Sequence, residues 1–215
     1  MIAAGNSVVF NPHPGSKRVF AWALSIFNRA IKAAGGPENL ITCIDEPTIE
    51  TGKALFVHPK VNLICVTGGP GVVKEALKAP KRAICAGPGN PPAVVDETAD
   101  IAKAAKDIID GGAFDNNILC IGEKEIISVD SITDDLKRAM AKYSGYELSL
   151  QQADELAKIA FTKDDRGHYI PSRDLVGRNA SVLAAKIGIK IGDDVRMLFA
   201  ETPLDHPWVV GEQLM

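Results

Sequence analysis

Short apolar runs alternate with longer amphipathic stretches along this chain, and this alternation limits the folds it can adopt more than any other feature. Residues 17–34 carry apolar side chains at spacings of three and four, which predicts a helix with one apolar face. Residues 61–67 are almost all apolar, which predicts a strand covered on both faces. Strands that alternate with helices are typical of parallel sheets. We therefore predict an α/β fold built on a parallel sheet.

The same patterns predict the remaining elements and one domain boundary. Strands are predicted over 7–10, 40–44, 82–85, 93–95, 125–129 and 195–199. Helices are predicted over 48–56, 71–77, 100–114, 131–143, 150–160 and 180–187. We expect Ser131 to be an N-cap and residues 207–215 to be extended. Residues 87–92 read Gly-Pro-Gly-Asn-Pro-Pro, which suits neither helix nor strand, so we divide the chain into 1–86 and 87–215.

Charge and composition exclude several classes of partner. The chain has 24 Lys and Arg against 27 Asp and Glu, a net charge of −3, which argues against a nucleic-acid-binding surface. It has no run of about eighteen apolar residues and no basic, apolar leader, so we expect no membrane partner and a cytoplasmic location. No two cysteines have C-x-x-C spacing, so no metal site is predicted. Cys43, Cys65 and Cys85 lie among apolar residues and are expected to be buried.

Cys120 differs from the other cysteines in its surroundings. It lies between a predicted helix and a predicted strand, in a loop with the polar residues Asp115, Asn116, Asn117, Glu123 and Lys124. A thiol in such a loop is accessible to substrate, and nearby amide donors can stabilise its thiolate. Composition alone leaves two interpretations open, a catalytic nucleophile and a structural thiol.

A glycine-rich turn follows the predicted strand that ends at Thr67. Gly68, Gly69 and Gly71 surround Pro70, and a predicted helix follows. A helix N-terminus presents free N–H groups that suit a phosphate. The turn is not a G-x-G-x-x-G motif, so a plain strand-to-helix turn stays an equal alternative. The four histidines are isolated, and their spacing supports no catalytic triad.

Five features, in the same order along the chain, resemble the aldehyde dehydrogenase superfamily. They are residues 3–12 (AAGNSVVFNP), 67–69 (TGG), 86–95 (AGPGNPPAVV), 114–125 (FDNNILCIGEKE) and Glu212. The chain resembles in particular the coenzyme A-acylating acetaldehyde and propionaldehyde dehydrogenases of ethanolamine and propanediol utilisation, and it does so over its full length.

The resemblance implies domains and site residues. Residues 1–86 would be the C-terminal half of a Rossmann-like cofactor domain and 87–215 the N-terminal part of a catalytic domain, so we expect a fragment that alone has negligible dehydrogenase activity. Cys120 is implied as the nucleophile. The implied cofactor-binding residues are Asn11, Pro12, Thr67, Gly68, Gly69, Val72, Gly87 and Glu212. Asn11 and Gly69 depart from the Lys and Ser of many relatives, which leaves NADP open beside NAD.

The resemblance also implies a reaction. Cys120 would attack a small aldehyde, NAD would accept the hydride, and coenzyme A would take the acyl group as a thioester, all reversibly. Hydrolytic relatives have a glutamate thirty-four residues before the nucleophile, where this chain has Ala86, so we expect acyl-CoA rather than free acid.

Three other functions stay open at this stage. They are a hydrolytic aldehyde dehydrogenase, the aldehyde-forming part of a bifunctional aldehyde–alcohol dehydrogenase, and a non-catalytic fragment or assembly module. A homo-oligomer, and a location inside a bacterial microcompartment, are implied for the full-length protein.

Overall fold

The computed structural model describes residues 1–215 and contains two compact units, Met1–Gly87 and Pro88–Met215. We call them the N-terminal unit and the C-terminal unit. The break falls one residue beyond the predicted boundary and therefore leaves Gly87 with the N-terminal unit. The assignment of the two units to a cofactor domain and a catalytic domain stays a prediction.

Helices and strands alternate along both units. The helices are α1 (Lys17–Ala33), α2 (Ile49–Val57), α3 (Pro70–Leu77), α4 (Ile101–Gly112), α5 (Asp130–Lys142), α6 (Leu150–Ala160), α7 (Ala180–Lys186) and α8 (Pro207–Val210). The strands are β1 (Val8–Phe10), β2 (Ile41–Cys43), β3 (Ile64–Thr67), β4 (Ala83–Ala86), β5 (Pro92–Val95), β6 (Glu125–Ser128), β7 (Gly145–Glu147), β8 (Phe161–Lys163), β9 (Tyr169–Pro171) and β10 (Met197–Phe199). Short 3-10 turns lie at Ile2–Ala4, Pro14–Ser16 and Phe114–Asn117.

Most of the strand pairing is parallel, which confirms the predicted α/β class. In the N-terminal unit β1 pairs with β2 and β3 with β4, and in the C-terminal unit β5 pairs with β6 and β7 with β10, all in parallel. β8 and β9 form an antiparallel hairpin. Thr67 lies opposite Ala86 where β3 and β4 end. The glycine turn and the loop that contains Gly87 therefore leave this strand pair at the same edge.

Side-chain caps fix where several helices begin. Thr48 and Thr51 form a capping box at the start of α2, and Ser149 and Gln152 form another at the start of α6. The carboxylate of Asp100 caps α4 by accepting a backbone N–H of the first turn. These local signals explain why the predicted starts of α4 and α6 agree with the structure to within one residue.

The predicted cap at Ser131 is wrong. Helix α5 begins at Asp130, and its N-cap Val129 makes no side-chain hydrogen bond. The carboxylate of Asp130 lies in the first turn, where the helix dipole favours a negative charge, and this stabilises the earlier start.

The predicted extended conformation of residues 207–215 is also wrong at its start. Pro207 opens the short helix α8, and the ring of His206 caps it by accepting the backbone N–H of Trp208. Strand β5 begins at Pro92, inside the segment predicted to hold no strand. Proline is tolerated there because it is the first residue of the strand.

Buried apolar side chains form separate cores in the two units. In the C-terminal unit, Ile109, Leu136 and Met140 pack between α4 and α5, and Leu156 and Phe161 belong to a second cluster around α6. The smaller core of the N-terminal unit comprises Ile64, Val66 and Ala76. None of the helices is both long and apolar enough to cross a membrane.

The prediction that the third strand is covered on both faces is wrong. Ile64 and Val66 of β3 are buried, whereas Cys65 and Thr67 are exposed. Successive residues of a strand point to opposite faces, and apolar side chains of α2 and α3 pack against one face of β3. An apolar run therefore predicted the strand but not which of its faces is covered.

The expected burial of three cysteines is wrong for the same reason. Cys65 is exposed, and Cys43 and Cys85 are only partly buried. All three lie on strands of the N-terminal unit, which leaves Cys120 as the one thiol of the C-terminal unit.

Candidate active site

The segment before Cys120 is a left-handed turn that few sequences adopt. Asp115, Asn116 and Asn117 have φ angles of 50°, 52° and 59°, and none of them is glycine. A left-handed residue costs roughly 1–2 kcal/mol, although the short polar side chains of Asp and Asn reduce this cost by bonding locally. The turn follows the end of α4 and leads to Cys120, whose thiol is free and exposed.

Long-range hydrogen bonds hold this turn in place. The side-chain Nδ2 of Asn116 donates to the carbonyl of Gly177 at 3.0 Å and to Oδ1 of Asn179 at 2.8 Å. Asn117 is buried, and its Nδ2 donates to the carbonyl of Met215 at 3.3 Å. The turn is therefore joined to two segments that lie far away along the chain.

Lys124, at the other end of the Cys120 loop, binds back to the turn at Asn117. Its Nζ donates to the backbone oxygen of Asn117 at 2.8 Å and to Oδ1 of the same residue at 2.7 Å. Burial lowers the pKa of Lys124 to about 8, against the attraction of Glu212 and Cys120, which raises it. Lys124 therefore interacts electrostatically with two predicted site residues, Cys120 and Glu212, and the structure brings these into one neighbourhood.

The segment that carries Glu212 is fixed by hydrogen bonds to neighbouring loops. Asn90 donates from Nδ2 to the carbonyls of Val209 and Gly211 at 3.0 and 2.8 Å. The backbone N–H of Gly177 donates to the carbonyl of Leu214 at 2.8 Å. Glu212 itself is partly buried. Its carboxylate thus projects from a backbone held on both sides.

A cavity of about 320 Å³ lies beside the left-handed turn. Asn117 and Lys124 contribute polar groups to its wall, and Leu136, Met140 and Trp208 contribute apolar surface. Cys120 and Glu212 do not line it, so the cavity is not the site of the thiol.

In the N-terminal unit, the glycine turn after Thr67 presents an open helix N-terminus. Gly69 is the N-cap of α3 and makes no side-chain cap, and a Cβ added at Gly68 or Gly69 would meet no atom within 4 Å. The backbone N–H of Gly68 donates to the carbonyl of Ala86 at 3.2 Å, which places Gly68 beside the Gly87 loop. A helix N-terminus with this much space in front of it suits the phosphate of a dinucleotide.

The other predicted cofactor residues of this unit have mixed surroundings. Val72, in the first turn of α3, is 43% exposed, which leaves it accessible at this open end. Asn11 donates to the carbonyl of Thr48 at 3.1 Å and accepts from the hydroxyl of Thr51 at 2.7 Å, so its amide also supports the start of α2. Pro12 is buried. The role of each of these residues in cofactor binding stays a prediction.

A model of the aldehyde dehydrogenase family matches residues 1–157. The chain belongs to the aldehyde dehydrogenase family. This confirms the family resemblance carried by the motifs around Asn11, Thr67, Pro88 and Cys120.

Within this family, the chain is similar to acetaldehyde and propionaldehyde dehydrogenases. Acetaldehyde dehydrogenase (acetylating) EutE of Salmonella typhimurium is 49% identical over 217 residues, 100% of this chain and 46% of that protein. A propionaldehyde dehydrogenase from the fucose utilisation microcompartment of Clostridium phytofermentans is 41% identical with a TM-score of 0.87, over 100% of this chain and 48% of that one. A Rhodopseudomonas palustris propionaldehyde dehydrogenase, solved with bound CoA and an acylated cysteine, is 42% identical with a TM-score of 0.83 and the same coverage. The chain thus spans about half the length of the curated relatives it matches.

The sequence does not reveal which residues of this aldehyde dehydrogenase chain hold the predicted site residues in place. It marks Asn117 and Lys124 only as polar neighbours of the thiol, and Asn90 only as part of a loop. One signal was available for the turn, because Asp and Asn are the residues other than glycine that most readily adopt a positive φ. No local signal marks Asn90, whose partners lie more than a hundred residues away.

Proposed function

We propose that the protein to which this chain belongs oxidises a short-chain aldehyde to acyl-CoA, with NAD as the hydride acceptor, through a thioester on Cys120. The observation that carries the proposal is the exposed thiol of Cys120 at the end of a braced left-handed turn, with Lys124 close by. The names of the acylating relatives, and the acylated cysteine of one solved relative, support the same chemistry.

The residues of this chain would act in the following way. The Cys120 thiolate forms a C–S bond with the aldehyde carbon, and the carbonyl oxygen becomes an oxyanion. The backbone N–H of Cys120 would donate to that oxygen, and one such donor is typically worth roughly 3–4 kcal/mol. After loss of the hydride, Cys120 holds a thioester. The thiol of coenzyme A then attacks the acyl carbon, gives its proton to solvent, and releases the Cys120 thiolate.

NAD, when bound, supplies the acceptor for the hydride and its two electrons. The open turn at Thr67, Gly68 and Gly69, with Val72 and Gly87 beside it, would hold the phosphates, and Asn11 and Pro12 would contact the adenosine side. Glu212 would accept hydrogen bonds from the nicotinamide ribose. NADP stays the alternative, because neither Asn11 nor Pro12 carries an acidic side chain that would repel a second phosphate on the adenosine ribose.

The reaction and its acyl acceptor can be tested together. The full-length product of the gene is incubated with propionaldehyde and NAD, with and without coenzyme A, and the thioester, free acid and NADH are quantified. We expect NADH and propionyl-CoA in equal amounts, and little free acid when coenzyme A is omitted. Free acid at an undiminished rate without coenzyme A would indicate the hydrolytic alternative, and no NADH under either condition would overturn the proposal.

We also propose that the full-length protein is a homo-oligomer and works inside a bacterial microcompartment. Exposed apolar side chains on α1, among them Val19 at 69% and Trp22 at 65%, support association. The microcompartment origin of the Clostridium phytofermentans relative supports the location. Light scattering of the purified protein tests the oligomeric state. Copurification with shell proteins from the native organism tests the location in a microcompartment.

A further inference from the structure

Lys124 uses its hydrogen bonds differently from the surface lysines of the same unit. Lys103 and Lys106 pair with aspartates one helical turn away on α4, and both are well exposed. Lys124 is half-buried, and both of its hydrogen bonds go to one uncharged residue, Asn117. Partial removal of an ammonium group from water costs solvation free energy, and its bonds to a neutral residue form no ion pair, so the geometry that these bonds maintain requires an explanation.

Asn117 is the residue through which three segments meet. Its backbone oxygen and Oδ1 accept from Lys124, and its Nδ2 donates to the carbonyl of Met215. It is also the last of the three residues with positive φ before Cys120. The loop of Cys120, the start of β6 and the segment that carries Glu212 are therefore connected at one buried side chain.

We infer that Lys124 and Asn117 form a positioning pair that holds the Cys120 loop against the segment carrying Glu212, so that the thiol and the carboxylate keep a fixed separation. The catalytic use of this pair rests on the proposed function, whereas the clamp itself does not. Lys124 is a positioning residue in this inference, because its hydrogen bonds go to the turn and not to a reacting atom.

Two substitutions separate the hydrogen bonds of Lys124 from its charge. Lys124→Met keeps most of the length of the side chain and removes both the charge and the donor, whereas Lys124→Gln, of the same length as Met, removes the charge and keeps an N–H donor. Lys103→Met, on the exposed face of α4, is the matched control. Asn117→Asp is a further variant, because it keeps the acceptors for Lys124 and loses the donor to Met215.

The first measurement needs no activity. Hydrogen exchange of the peptide spanning residues 114–123 is followed by mass spectrometry in the full-length protein. We expect faster exchange in Lys124→Met, near-native exchange in Lys124→Gln and Lys103→Met, and faster exchange of residues 207–215 in Asn117→Asp. Equal exchange in Lys124→Met and Lys103→Met would overturn the inference.

The second measurement follows transfer of the acyl group from propionyl-CoA to Cys120 in a single turnover without NAD. A small misplacement of a reacting group can cost about 100-fold in rate, so we expect a loss of this order in Lys124→Met, with the half-saturating propionyl-CoA concentration unchanged. Lys124→Gln should recover most of the rate. If acyl transfer is as slow in Lys124→Gln as in Lys124→Met, the rate depends on the charge of Lys124 rather than on its hydrogen bonds, and the positioning role is wrong.

The two measurements also separate this inference from the proposed function. If the native protein forms no acyl-enzyme, the proposed function fails together with the catalytic use of the pair, while the exchange data still decide whether the clamp exists. If Lys124→Met does not fold, Lys124→Gln and Asn117→Asp decide the inference. Native exchange in both the 114–123 and 207–215 peptides of Asn117→Asp would then overturn it.

Discussion

The backbone N–H of Gln213 donates to Oδ1 of Asn90 at 2.9 Å, across 123 residues of sequence. The same amide of Asn90 donates to the carbonyls of Val209 and Gly211. One side chain thus satisfies three backbone groups on both sides of Glu212. The loop that reads Gly-Pro-Gly-Asn-Pro-Pro is therefore an anchor for the segment that carries this carboxylate.

We expect Asn90→Ala to loosen that anchor. Loss of three hydrogen bonds, each worth about 1 kcal/mol net, should lower the stability of the C-terminal unit by about 2–4 kcal/mol. The KM for NAD should increase, because Glu212 loses its support, while acyl transfer from propionyl-CoA to Cys120 should change little. Thermal unfolding and the two assays measure this, with the exposed Asn6→Ala as the control. Equal losses in both assays would contradict the assignment of Glu212 to the cofactor.

We expect Cys120→Ser to abolish formation of the acyl-enzyme from propionyl-CoA. An alcohol at this position ionises far less readily than a thiol and is a poorer nucleophile at neutral pH. Intact-mass spectrometry should show one propionyl group on the native protein and none on the variant. The Cys65→Ser variant is a stringent control, because that thiol is also exposed. A propionyl group retained on Cys120→Ser would show that Cys120 is not the acyl carrier.

We expect Ala86→Glu to move the reaction towards hydrolysis. A general base typically accelerates proton transfer by roughly 10²- to 10⁴-fold, and the native residue at this position has no acid–base group. Free acid formed without coenzyme A should increase at least about tenfold in the variant. Ala86→Gln has the same size and is not a base, so it should leave the product as acyl-CoA. A similar increase with Gln would point to a change of space rather than of chemistry.

Lys124 should give the protein a pH-dependent stability. The pKa of a lysine in an unfolded chain is about 10.4, whereas burial lowers the pKa of Lys124 to about 8 in the folded protein. Between these values the unfolded chain binds more protons, so the contribution of Lys124 to stability increases as the pH rises through this range. We expect the Tm of the native protein minus that of Lys124→Met to increase between pH 8 and about 10. A constant difference would mean that Lys124 titrates as an exposed lysine does.

The two glycines at the end of α4 should differ in their response to alanine. A Cβ on Gly112 would lie 2.8 Å from the backbone oxygen of Glu123 and 2.9 Å from Sδ of Met197. The three atoms nearest to a Cβ on Gly111 all belong to the carboxylate of Glu123, which is the far end of a flexible side chain and can turn away. We expect Gly112→Ala to cost about 1–3 kcal/mol and to slow acylation, and Gly111→Ala to be near neutral because alanine favours the helix. Urea unfolding and the acylation assay compare Gly111→Ala with Gly112→Ala. Equal effects of the two substitutions would show that contact with the backbone of Glu123 is not what makes Gly112 necessary.

Local sequence patterns predicted the elements whose ends are fixed by neighbouring residues. Helix α6 was predicted at its observed bounds, Leu150–Ala160, because Ser149 caps it and the apolar period persists to its end. The parallel pairing followed from alternation of strands and helices alone. By contrast, the β8–β9 hairpin was not predicted, because β8 (Phe161–Lys163) contains one apolar residue followed by Thr and Lys and so has no apolar run that marks a strand.

The support of the candidate site could not be predicted from local sequence. Whether Cys65 is buried depends on what covers the second face of β3, and apolarity does not reveal that. Asn90 supports the segment of Glu212 through hydrogen bonds to residues more than a hundred positions away along the chain. That Cys120 lies in a loop between a helical segment and a strand was predictable, because the motif around this thiol is contiguous in sequence; its role as the nucleophile stays a prediction.

The hydrogen bond from Asn117 to the carbonyl of Met215 has a consequence for the order in which the protein is assembled during synthesis. Because synthesis proceeds from the N-terminus, the residues of the N-terminal unit, Met1–Gly87, leave the ribosome before Cys120 does. Cys120 emerges later, but the residues that brace its turn, Gly177, Asn179 and Met215, follow it by many tens of residues. A nascent chain therefore exposes the Cys120 thiol without these hydrogen bonds for most of the time that the C-terminal unit takes to be translated, and the bond from Asn117 to the carbonyl of Met215 forms only after Met215 has left the ribosomal tunnel.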